Sequence, residues 1–149
     1  MNKCTLKMIR EEIADYDGIE VEEDWTMSSV DNVVRFLTTY GGLHEEPEEV
    51  FCVIGLNTKH KLTDFWVVSR GSLNESLVTP RETYKRLIIG NSHACILAHS
   101  HPSGDVTPSP SDMKMTKRMR DAGKLLDIKV LDHVIIGDGF YSFARKGII

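Results

Sequence analysis

A chain of 149 residues, 41% hydrophobic and 27% charged, has the size and balance of one soluble globular domain with a single core. Its 18 basic and 22 acidic residues leave a formal net charge of −4, which excludes a global pull toward phosphate backbones and leaves nucleic-acid binding to a local patch. Charges scattered through 1–16 exclude a signal peptide there, and no run approaches the roughly 20 apolar residues that span a bilayer, so a cytoplasmic protein without membrane contact is expected.

Along the chain, 3–10 alternates apolar and polar residues as a half-buried strand does, and 18–23 reads as an acidic connector. Ser29 is placed to cap a short packing helix whose Val30, Val33, Val34 and Leu37 share one side, closed by Gly41-Gly42. The acidic stretch Glu45-Glu46-Pro47-Glu48-Glu49 then runs into the apolar 50–56, which predicts a central strand covered on both faces. A polar turn at 57–61 joins it to the aromatic and β-branched 62–68, so the two read as a hairpin. Thr79-Pro80-Arg81-Glu82 combines a capping box with proline at the first helical position and predicts a helix to about Gly90.

A short strand is expected at 93–99, and the polar, glycine- and proline-rich 100–109 must be a loop. Ser109 before Pro110 opens another helix, in which Met115, Met119, Ala122 and Leu126 recur at helical spacing as a core stripe. Its Lys114, Lys117, Arg118, Arg120 and Lys124 read as a solvated face. The segments 129–136 and 140–143 form a second hairpin candidate around Gly137-Asp138-Gly139. Cys4, Cys52 and Cys95 are far apart, odd in number and without CxxC spacing, so each reads as a small buried hydrophobe in a reducing compartment. The order is α/β, with strands on either side of each helix.

Chemistry concentrates in 99–112. Residues two apart in an extended chain point to one side, so His99 and His101 can aim two imidazoles at one point. Asp112, in the first turn of the following helix, can bring a carboxylate to the same point. Three protein ligands that leave room for water are the arrangement of a catalytic rather than a structural zinc. Taken singly, each residue has a plainer reading: the histidines as hydrogen-bonded strand-end groups, Asp112 as the acid of a capping box begun by Ser109. Asp132 and His133 read as structural hydrogen-bonding groups in a strand and are left out of the ligand set.

His99-x-His101-Pro102, six residues, Ser109, two residues, Asp112 resembles the signature of the JAMM (JAB/MPN) metalloproteases. His-Pro-Ser-Gly at 101–104, Thr-Pro-Ser at 107–109, Pro80-Arg81-Glu82 and the run from Leu131 to Gly137 look like the RadC branch. The likeness covers about 48–149. Ser100 and Thr79 stand where RadC-like chains often carry Asn and His, neither of them a metal position.

This resemblance implies a JAB/MPN-like (cytidine-deaminase-like) mixed β-sheet flanked by helices over 46–149, preceded by an N-terminal strand and helix extension, 1–45. It implies a Zn²⁺ ion held by His99, His101 and Asp112, and a glutamate before an early strand to take the proton of the activated water. Glu49 is the choice for that role, with Glu48 as fallback. Ser109 would donate to the water or to the developing oxyanion, with helix capping as its rival role. The expected activity is that of a zinc-dependent metallopeptidase or isopeptidase acting on a peptide or protein substrate. The alternatives are a DNA-repair-associated role, as the RadC likeness suggests, and a metal-stabilised binding module without turnover. Only about 45 residues precede the domain, with no room for the helix-hairpin-helix region of longer RadC proteins, so nucleic-acid binding is expected to be weak; oligomeric state is left open.

Overall fold

A computed structural model describes residues 25–71 and 78–149, together with the backbone of 15–16 and 19–20. In chain order the elements are β1 (Asp15–Tyr16), β2 (Ile19–Glu20), α1 (Val30–Thr39), β3 (Val50–Leu56), β4 (Leu62–Arg70), α2 (Pro80–Ile89), β5 (Ala94–Ser100), α3 (Pro110–Leu125), β6 (Lys129–Ile136) and β7 (Phe140–Ser142). The strand expected at 3–10 lies outside the described residues, as does Cys4. Within the stretch taken as an acidic connector, Ile19–Glu20 pairs antiparallel with Asp15–Tyr16.

The run Val-Phe-Cys-Val-Ile-Gly-Leu has no side chain that gains from water, and all seven residues of β3 are buried. It lies inside a five-stranded sheet of order β4-β3-β5-β6-β7. Pairing is antiparallel except between β5 and β6, which run parallel. A parallel pair cannot be joined by a tight turn, so α3 supplies the crossover. Strand alternation divides the core. Cys52, Ile54 and Leu56 face Val33, Phe36 and Leu37 of α1, whereas Phe51 and Val53 face Tyr84 and Leu87 of α2 and Met119 of α3. Each large apolar side chain buried this way contributes roughly 1.5–3 kcal/mol, and emptying one such site, as in Phe51→Ala, costs about 3–5 kcal/mol.

Local signals set the helix starts. Ser29 accepts the Asn32 N–H and Thr79 the Glu82 N–H. The Thr79 box is only half formed, because the Glu82 carboxylate accepts from Lys85 at 2.6 Å instead of turning back to the cap; a charge-assisted bond to a neighbouring ammonium wins over one to a neutral amide. At α3 the box is complete, with Asp112 as the acid. Its buried stripe is Asp112, Thr116, Met119 and Gly123, while Leu126 is 43% exposed. The apolar residues thus marked half of the buried face, and its polar half meets His99 of β5 and His133 of β6. Cys52 and Cys95 are free and buried, as expected of small hydrophobes, and burial raises both thiols.

Candidate metal centre

The C-terminal end of β5 carries the first imidazole. His99 lies opposite Phe51 of β3, on the sheet face that meets α3, and is fully buried. Alternation returns His101 to the same side, where the His101 N–H donates to the Ile136 carbonyl at 2.8 Å and prolongs the pairing with β6. The chain then turns at Gly104, whose φ of +82° suits glycine, and an added Cβ there would lie 2.5 Å from Asp138 Oδ2. This turn brings the Asp105 carbonyl within 2.6 Å of His101 Nδ1.

Asp112 closes the site from α3. Its Oδ2 accepts from the Ser109 N–H at 2.7 Å and the Ser109 hydroxyl at 2.6 Å. Its Oδ1 lies 3.3 Å from His99 Nε2. The capping and ligand readings of this residue are therefore compatible, one oxygen for each. Among the described residues, His99, His101 and Asp112 form a group whose ligand atoms all lie within 4.8 Å of one another.

Hydrogen-bond partners decide which ring nitrogens carry protons. A carbonyl only accepts, so His101 Nδ1 donates to Asp105 and the neutral ring keeps its lone pair on Nε2. Behind His99, the Thr116 hydroxyl donates to the Asp112 carbonyl at 2.6 Å, so its oxygen accepts from His133 Nδ1, 2.6 Å away. His133 Nε2 is then an acceptor, and His99 Nδ1 donates to it at 2.8 Å. His99 Nε2 is left with a lone pair, 3.0 Å from His101 Nε2. Burial, and secondarily His101, push His99 down to about 4, against the opposing pull of Asp112, so it is neutral at pH 7. Two lone pairs and a carboxylate oxygen facing one another repel unless a proton or a metal cation stands among them. The donor set thus fits a metal ion, and its mixture of imidazole and carboxylate suits zinc.

Glu49, half-buried just before β3, lines the same cleft as His101, Ser109 and Asp112. Glu48 is exposed. Ser109 spends its hydroxyl proton on Asp112 in the capping arrangement. Asp132 is structural, as expected: its carboxylate accepts from the backbone of His133 and Ala144 and from the Ser142 hydroxyl. His133 is not merely structural, because it backs a candidate ligand. Thr116 went unnoticed in the sequence, although its position one turn after Asp112, on the same side of the helix, was a usable signal. Lys114, Lys117, Arg118 and Lys124 are exposed, whereas Arg120 is partly buried and donates to the Ile148 carbonyl at 2.8 Å. No described helix is long and apolar enough to cross a membrane.

Residues 27–148 match the family described as RadC-like JAB domain. The chain is 47% identical over 108 residues to a UPF0758 protein of Pseudomonas syringae pv. tomato, covering 72% of this chain and 48% of that protein. It is 43% identical over 123 residues to one of Thioalkalivibrio sulfidiphilus, covering 83% and 54% respectively. With one of Desulfitobacterium hafniense the identity is 52% over 102 residues, covering 68% and 45%. The chain spans about half the length of these curated relatives, and their names state no activity.

Proposed function

This chain belongs to the RadC-like JAB domain family, and from that membership and the geometry of its cleft we propose that it is a zinc-dependent hydrolase of peptide or isopeptide bonds. The convergence of His99 Nε2, His101 Nε2 and Asp112 on one point carries this reading. A zinc ion held there would polarise a substrate carbonyl and make a water molecule far more acidic than in bulk, enough to ionise near pH 7.

The chain's own residues supply the rest. Glu49, at the wall of the cleft, takes a proton from the attacking water and returns it to the leaving amine, a role worth typically ~10² to 10⁴ in rate. The Ser109 N–H keeps its hold on Asp112 Oδ2, which frees the Ser109 hydroxyl to rotate toward the oxyanion that develops on the substrate. One such donor contributes roughly 3–4 kcal/mol in an enzyme where it has been measured.

Metal analysis of protein purified without added metal tests the centre. One zinc per chain is expected, lost in His99→Ala and in His101→Ala. A full equivalent retained by both variants would sink the ligand assignment. Turnover is tested by screening peptide libraries and isopeptide-linked polypeptide conjugates, with His101→Ala as the inactive control.

A further inference from the structure

We propose that Thr116 and His133 are positioning residues that hold His99 in the one tautomer able to bind a metal. The inference rests on the metal-centre reading and deepens it. It stands on a closed loop of contacts. Asp112 Oδ1 and His99 Nε2 lie 3.3 Å apart at the front of the site. At the back, the Asp112 carbonyl, the Thr116 hydroxyl, the His133 ring and His99 Nδ1 are joined by bonds of 2.6, 2.6 and 2.8 Å. The residue that brings the carboxylate therefore also anchors, through its own main chain, the groups that orient the imidazole beside it.

Direction in this loop begins at the carbonyl, which has no proton to give. The Thr116 hydroxyl must donate to it, His133 Nδ1 must donate to the hydroxyl, and His99 Nδ1 must donate to His133 Nε2. The proton of His99 is thereby kept away from the metal-facing nitrogen. A metal-ligating histidine usually hands its second N–H to a carboxylate, a carbonyl or water; here a neutral ring takes it, orienting the ligand without adding negative charge to a buried site. His133 and Thr116 are 0% and 2% exposed. The His133 ring stacks on Phe143 at 4.8 Å and meets the edge of Phe51 at 6.1 Å. Apolar walls leave no ready substitute for the Thr116 oxygen.

Thr116→Val keeps the shape and removes the acceptor. His133 Nδ1–H is then left without a partner, and the ring is relieved by moving its proton to Nε2. That proton faces His99 Nδ1, and His99 must carry its own on the metal side. Thr116→Ser keeps the hydroxyl, and His133→Gln can still accept from His99 and donate to Thr116.

The test is zinc affinity of the full chain by chelator competition, with ¹⁵N imidazole spectra of the metal-free protein to show which His99 nitrogen is protonated. Thr116→Val is expected to bind zinc about 10- to 100-fold more weakly, while Thr116→Ser and His133→Gln stay near wild type. The wild-type spectrum should show the proton on Nδ1 and the Thr116→Val spectrum a shift toward Nε2. Wild-type affinity in Thr116→Val, or a wild-type His99 without a proton on Nδ1, overturns the proposal. A wild type that takes up no zinc overturns the metal centre instead, and the spectra still decide the tautomer.

Discussion

Ser100 holds the backbone of Val50 from the neighbouring strand: its Oγ accepts the Val50 N–H at 2.9 Å and donates to the Glu48 carbonyl at 3.4 Å, so one hydroxyl grips the main chain on both sides of Glu49. Both Val50 and Ser100 are buried, and no solvent replaces the bond if it is lost. Ser100→Ala is therefore expected to cost about 1–3 kcal/mol of stability, the penalty for a buried donor left unsatisfied, with zinc stoichiometry unchanged because neither the ligands nor their partners are touched. Urea unfolding and metal analysis of the same preparation check this. A variant as stable as wild type means that the Ser100 grip on the strand contributes nothing.

Glu49→Gln separates turnover from metal holding. Glutamine keeps the shape and can hydrogen-bond water but cannot accept its proton, so zinc content should stay at one per chain while hydrolysis falls by about 10² to 10⁴. Rates of wild type, Glu49→Gln and Glu48→Gln on one identified substrate decide the matter. If Glu48→Gln is the inactive one, the base has been assigned one residue too late.

Stability of the metal-free protein should depend on pH in one direction. Burial pushes His99 down to about 4 and His133 well below 6.5. In the unfolded chain both titrate near the ordinary value of about 6.5. Between those limits the unfolded state binds more protons than the native state, so stability is full above about pH 6.5 and is lost as pH falls toward 4. Each of these histidines contributes at most about 1.4 kcal/mol per pH unit in that window. Urea midpoints of chelator-treated protein, measured at intervals from pH 7 to 4.5, should fall steadily. A flat profile would mean that these rings are not buried in neutral form.

Affinity for DNA should be low and should depend little on sequence. The exposed cations of α3 are Lys114, Lys117, Arg118 and Lys124, with the exposed Asp121 among them, and the whole chain carries −4. Even if all four reached phosphates, the salt slope would be no steeper than about −4. Titration with duplex and single-stranded DNA at several salt concentrations measures it. Nanomolar, sequence-selective binding at physiological salt would instead favour the DNA-transaction role for this domain.

Much of the site was legible because its parts are local. Period-two alternation put His99 and His101 on one side, and the capping box that starts α3 put Asp112 where a carboxylate can reach them; each relation spans a few residues of a single element. The buried 50–56 and the helix starts at Ser29, Thr79 and Ser109 were legible for the same reason. The resemblance to JAMM proteins then supplied the expectation that an acidic residue before β3 belongs with these groups.

Partner choice across elements was not legible. His133 faces His99 only because β6 runs parallel to β5 in the register that pairs it with Leu97, two residues before His99 on the same face. Thr116 joins them only because α3 lies across that face. The same applies to Ser100, whose hydroxyl finds Val50 across the antiparallel β3–β5 pair, and to Leu126, which matches the helical period but lies past the covered part of α3 and stays exposed. Sequence alone determined which side chains could converge on a cation, since backbone periodicity and capping act over a turn or a strand. Only the tertiary structure decided what stands behind them, because a buried hydrogen bond needs donor and acceptor within about 3 Å, and strand register sets that distance between residues far apart in the chain.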